Sequence, residues 1–101
     1  MTSLGSGFVD VAGARLALYD GGASDHPVLL VHGGPGVPDY LEPVENLLAN
    51  DHRVIRFDQR GTGASLCHDR RYGLDQHVED VEAVRRACGV ARVGLFGHSW
   101  G

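Results

Sequence analysis

Gly97-His98-Ser99-Trp100-Gly101 sets one serine between two glycines, with the spacing that a sharp reversal of the chain needs. A serine hydroxyl is a poor nucleophile until a neighbouring base takes its proton. Lifted on a tight strand-to-helix turn, a nucleophile elbow, it stands clear of the backbone and can attack a carbonyl carbon. Glycine suits positions 97 and 101, because a side chain at either would strike the opposite arm of the turn. The five-residue pattern alone is weak evidence. Its weight comes from Arg92-Val93-Gly94-Leu95-Phe96 directly before it, which reads as a strand running into the turn.

Two further motifs carry chemistry of a complementary kind. His32-Gly33-Gly34-Pro35-Gly36 follows the apolar run Pro27-Val28-Leu29-Leu30-Val31. Attack on a carbonyl builds negative charge on its oxygen, and fixed backbone N–H groups aimed there lower the barrier by about 3–4 kcal/mol each. Glycines let a substrate approach the main chain, while Pro35 stiffens the loop and offers no donor. His32 reads as a structural histidine that orders this loop and moves no proton. Asp58-Gln59-Arg60-Gly61-Thr62-Gly63-Ala64-Ser65 is a glycine-bearing loop at the C-terminal end of another strand, the edge where open α/β sheets hold ligands. It lacks the lysine of a phosphate-cradling loop. Asp58 and Arg60 read as residues that tie the loop near the site by hydrogen bonds.

The elements that must position these motifs follow from pattern. Phe8–Val11 and Arg15–Tyr19 flank Gly13-Ala14 and predict a hairpin, followed by a polar loop from Asp20 to His26. Residues 27–31 predict a strand buried on both faces. Asp39 to Asn50 has helical rhythm, with Tyr40, Leu41, Val44, Leu47 and Leu48 on one side and Pro43 in the first turn. Arg53–Phe57 predicts a strand and Asp58–Asp69 a loop. Leu74, Val78, Val81, Val84 and Cys88 predict a second helix closed by Gly89, with Arg85 and Arg86 favourably placed for its dipole. Glu79, Asp80 and Glu82 read as a solvated acidic face of that helix. Strands alternating with helices imply right-handed crossovers and a parallel sheet after the hairpin.

Composition narrows the function. The 101 residues carry a net charge of −4 and no basic run, which argues against nucleic acid and anionic membrane surfaces as partners. Lysine is absent, so Schiff-base chemistry has no residue to use. Cys67 and Cys88 are far apart and read as reduced thiols of a cytoplasmic protein. No secretory signal or membrane-spanning run is visible. The six histidines show no metal-ligand spacing, so no metal is expected.

H-G-G-P-G, D-Q-R-G-x-G-x-S and G-x-S-W-G, in this order, resemble the proline iminopeptidase (prolyl aminopeptidase) family of serine peptidases within the α/β hydrolase superfamily. The resemblance extends from the hairpin to Gly101. It implies Ser99 as nucleophile and the amides of Gly34 and Trp100 as the oxyanion hole. His32, Gly33, Pro35, Gly36, Asp58, Arg60, Gly97 and Gly101 are then structural residues near the site. It implies a sheet ordered 1-2-4-3-5 with helices on both faces, and no cofactor. In this fold the triad runs serine, acid, histidine. Both partners of Ser99, and the cap that selects an N-terminal proline, are therefore expected after Gly101. Residues 1–101 are expected to be the N-terminal portion of a single α/β hydrolase domain, truncated at the elbow. Three readings stay open. One is release of N-terminal proline from small peptides through an acyl-enzyme. Another is hydrolysis of an acyl substrate such as an ester, lactone or amide. The third is a non-catalytic fragment, inactive alone and open to a complementing C-terminal half.

Overall fold

Alternation along two short strands decides the architecture. In the computed structural model, which describes residues 5–22, 25–34 and 36–101, β3 (Pro27–Val31) and β4 (Arg53–Phe57) run parallel. Successive side chains of a strand point to opposite faces. Leu29, Ile55 and Phe57 fall on one face and pack against Val84 of α2 (Leu74–Ala87). Leu30 and Val54 fall on the other, against Leu41 and the α1 (Glu42–Leu48) residues Val44 and Leu48. A helix on each side leaves the strands little contact with water, which is why β3 is apolar throughout.

β1 (Gly5–Val11) and β2 (Ala14–Gly22) form the expected antiparallel hairpin. The sheet is ordered β1-β2-β4-β3-β6, with β6 (Gly94–Gly97) parallel to β3. This is the expected 1-2-4-3-5 path, the last strand being numbered sixth because a two-residue strand intervenes. That strand, β5 (Leu66–Cys67), pairs with Ala14 and Arg15 inside the stretch expected to be a loop. The chain leaves β3 for β4 on one side and returns through α2 to β6 on the other. The loops after β3 and β6 therefore open side by side, at the switch point where open α/β sheets bind ligands.

Several expected boundaries shift. β2 continues to Gly22 because Asp20, Gly21 and Gly22 pair with Ile55, Val54 and Arg53. The first helix begins at Glu42 and not Asp39, because Asp39 is held in the preceding loop by the hydrogen bond its N–H donates to Asp58 and by its ion pair with Arg56. Leu47, expected on its apolar side, is 82% exposed. The last strand spans 94–97, not 92–96. Gly89, with φ of 72°, closes α2 as expected. The acidic stretch is not uniformly solvated: Asp80 is 1% exposed and paired with Arg60. Among the described residues, no helix is long and apolar enough to cross a membrane.

Candidate active site

Ser99 sits two residues past the end of β6, with φ of 60°. A non-glycine residue is rarely found in this left-handed region, and there it marks strain worth a functional reading. The turn is closed by Gly101 N–H donating to His98 O at 3.0 Å, and anchored by His98 N–H donating to Val31 O at 3.2 Å. The flanking glycines are sterically required. A Cβ on Gly97 would lie 2.7 Å from the Gly101 backbone, and one on Gly101 would lie 2.2 Å from Val31 O and 2.6 Å from His32 O.

The loop after β3 packs onto this turn. A Cβ on Gly33 would come within 2.9 Å of both His98 O and Ser99 Cβ. Gly34 and Gly36 are exposed and adopt positive φ values of 150° and 88°, which favour glycine. Pro35 lies outside the described residues. His32 is fully buried beneath the loop. Its Nδ1 donates to Gly33 O at 2.6 Å and its Nε2 accepts from Gln59 N–H at 3.0 Å, an assignment that follows from the partners. Gln59 Nε2 donates in turn to His32 O at 2.7 Å. With both ring nitrogens engaged, His32 has none left to take a proton from Ser99.

Asp58 and Arg60 tie separate chain segments together by hydrogen bonds. The Asp58 carboxylate accepts from Asp39 N–H at 2.8 Å and from Ala64 N–H and Tyr19 O–H at 3.1 Å. It thereby holds residue 39, the neighbour of Tyr40, against its own loop. Arg60 points toward α2. Its guanidinium grips both oxygens of Asp80 at 2.7 and 3.0 Å, and also donates to Asp69 and to the carbonyls of Ala12 and Arg71. Three chain segments, the hairpin turn at Ala12, residues 69–71 and α2, meet on that one side chain.

Tyr40 is the contact the motifs do not reveal. Its hydroxyl accepts from Gly33 N–H at 2.8 Å and is 2.7 Å from His98 Nδ1. Helical periodicity places this residue on an apolar face, and no local pattern marks a tyrosine that reaches back to a loop seven residues earlier.

Trp100 borders a cavity of about 440 Å³ together with Gly36, Gln59, Gly61, Tyr72 and His77. Its indole meets the His77 ring edge-on, centroids 4.9 Å apart at 83°. Burial pushes the His77 imidazole below its ordinary value of 6.5. Folding thus disfavours protonated His77. Its contribution to stability is present above pH 6.5 and lost as pH falls through the lowered value. Trp100 is the chain's single tryptophan, and imidazolium quenches indole emission. Trp100 fluorescence is therefore expected to drop on acidification with a midpoint below pH 6.5, a step that His77→Gln abolishes. A midpoint above that value would contradict the buried geometry.

Comparison with known proteins places these motifs in context. Residues 26–101 match the family described as the α/β hydrolase fold. Proline iminopeptidase of Heyndrickxia coagulans is 38% identical over 102 residues, covering 94% of this chain and 34% of that protein. A proline iminopeptidase-related protein of Thermus thermophilus superposes with a TM-score of 0.84 at 37% identity, over 95% of this chain and 36% of its own. The Cif epoxide hydrolase of Acinetobacter nosocomialis superposes with a TM-score of 0.80 at 26% identity, over 95% and 30%. The chain thus spans about a third of the length of these relatives.

Proposed function

The chain belongs to the α/β hydrolase fold family, and on that premise we propose that it carries the nucleophile and oxyanion-binding portion of a serine hydrolase that releases N-terminal proline from peptides. One observation carries the reading: Ser99 at φ 60°, on a turn at a strand's C-terminal end, with the glycine loop after β3 packed against its Cβ. The likeness to named proline iminopeptidases supports the substrate class.

In this mechanism the Ser99 hydroxyl loses its proton to a base and its oxygen bonds to the prolyl carbonyl carbon. The tetrahedral oxyanion takes hydrogen bonds from the Gly34 and Trp100 amides. The carbon–nitrogen bond then breaks, the shortened peptide leaving as an amine with the proton from the base. Water hydrolyses the prolyl ester and frees proline and Ser99. His32 spends both nitrogens on the loop; in this fold the acid and the histidine follow the serine in the chain, so the base and its orienting acid are assigned to the two thirds of the relatives' length that this chain does not match. Residues 1–101 are then the N-terminal portion of one hydrolase domain.

The test is a chimera joining residues 1–101 to the remaining two thirds of the Heyndrickxia coagulans protein. It is expected to cleave proline arylamides in preference to short acyl esters, and to be labelled at Ser99 by a fluorophosphonate. Ser99→Ala should remove labelling and lower kcat by about 10⁴-fold or more. Preference for esters would reassign the substrate. Turnover that survives Ser99→Ala would end the serine mechanism. Residues 1–101 alone are expected to give no Ser99-dependent turnover, because the base is not supplied.

A further inference from the structure

We propose that Tyr40 is a positioning residue, a hydroxyl clamp that fixes the glycine loop after β3 against the turn carrying Ser99. The proposal rests on the serine-hydrolase reading and adds a residue that none of the three motifs contains. Its hydroxyl stands between the two segments that chemistry must hold together. On one side it accepts the Gly33 amide proton at 2.8 Å, and on the other it meets His98 Nδ1 at 2.7 Å. Because the oxygen already accepts from Gly33, its own hydrogen is free to go to Nδ1, which places the His98 proton on Nε2. The ring is braced as well as the hydroxyl. It meets His98 edge-on at 5.6 Å and 85°, and His32 at 6.0 Å and 61°. Both histidines flank the reacting segments: one begins the glycine loop, the other precedes the nucleophile.

The arrangement assigns Gly33 and Gly34 different duties. The Gly33 amide is taken by Tyr40 and is unavailable to an oxyanion, whereas Gly34 is exposed at the loop's surface. A clamp on residue 33 therefore sets where the next amide points. Tyr40 is itself held in place, because the Asp58 carboxylate takes the Asp39 amide at 2.8 Å and Asp39 Oδ1 accepts the Leu41 amide at 3.3 Å. The D-Q-R-G loop thus reaches the serine through a relay: Asp58 fixes 39, residue 40 fixes 33, and residue 33 lies on the turn. Tyr40 touches no reacting atom, so its loss should affect the transition state more than substrate binding.

Tyr40→Phe removes the hydroxyl and keeps the ring. In residues 1–101, amide exchange at Gly33 followed by NMR is expected to accelerate roughly tenfold, the loss of one modest hydrogen bond. In the chimera, kcat should fall roughly 10- to 100-fold with KM within about twofold, because a donor misplaced by a fraction of an ångström acts mainly on the transition state. His98→Asn, whose Oδ1 can accept from Tyr40 much as Nδ1 does, should retain more activity than His98→Ala. Unchanged Gly33 exchange, unchanged kcat, or equal activity in the two His98 variants would overturn the clamp. Failure of the unsubstituted chimera to label at Ser99 would instead sink the hydrolase reading and the catalytic half of this proposal with it, leaving the exchange result to judge the contact alone.

Discussion

Asp80→Ala is expected to destabilise the chain by about 3–5 kcal/mol, read as a fall in the urea midpoint with unchanged slope. Arg60 is a fully buried cation, and Asp80 holds two of its donors through the bidentate pair. Removing the carboxylate leaves that charge without its main counter-ion, which costs far more than the net worth of an intact pair. Asp69 offsets part of this, since it also accepts from Arg60, but its side chain is 31% exposed and its attraction is correspondingly screened. A domain of this size is stable by only about 5–15 kcal/mol, so the loss is a large fraction of the whole. The consequence extends beyond α2. Arg60 also donates to Ala12 O in the hairpin turn and to Arg71 O ahead of the helix, and both carbonyls depend on the guanidinium staying where Asp80 holds it. Glu79→Ala removes an exposed carboxylate one residue earlier and is expected to move stability by no more than about 0.5 kcal/mol. Equal effects of the two substitutions would show that the pair contributes nothing beyond helix charge.

Asp80 also marks where sequence patterns stop being informative. Strands β3 and β4 were legible because alternation and apolar runs are local properties. The sheet order was legible through motif resemblance, since the loops after β3 and β6 can meet only if their strands are neighbours. Ser99 and its glycines were legible because steric need at a tight turn dictates residue type. Partners contributed by distant segments were not. Asp80 lies within an acidic run, and only the arrival of Arg60 from a loop twenty residues earlier separates it from Glu79 and Glu82. Tyr40 sits at helical spacing from Val44 and Leu47, yet the helix starts two residues after it, because Asp39 is committed to Arg56 and Asp58. The apolar stripe of α2 reads as one buried face. Only its later part, Val81 to Cys88, packs on the core. Leu74 and Val78, 71% and 61% exposed, instead wall an open apolar cleft of about 240 Å³ with Leu95 and Trp100. Periodicity gives the direction a side chain takes from its helix, not whether another surface meets it there.

Gly33→Ala is expected to lower kcat of the chimera about 100-fold while KM changes little, and to slow fluorophosphonate labelling of Ser99 in parallel. The reason is space and not backbone conformation, since Gly33 is absent from the positive-φ residues. An added Cβ would lie 2.5 Å from the Tyr40 hydroxyl, 2.9 Å from His98 O and 2.9 Å from Ser99 Cβ. The hydroxyl is the far end of a side chain and can swing aside. The other two atoms cannot move so readily. His98 O accepts the Gly101 amide, the His98 amide is bonded to Val31 O, and a side chain on Gly101 has no room against the β3 carbonyls. The loop must therefore retreat from the turn, and Gly34 goes with it. Loss of one oxyanion donor costs about 10²–10³ in kcat, so partial displacement belongs at the lower end of that range. Gly7→Ala, where an added Cβ meets nothing within 4 Å, supplies the control for adding a methyl group to the chain. If Gly33→Ala retained full kcat, the glycine loop would not need to touch the serine turn, and the amide of Gly34 would have no claim to the oxyanion. If kcat fell and labelling did not, the loop would act after acylation, on release of proline from Ser99, and not on formation of the acyl-enzyme.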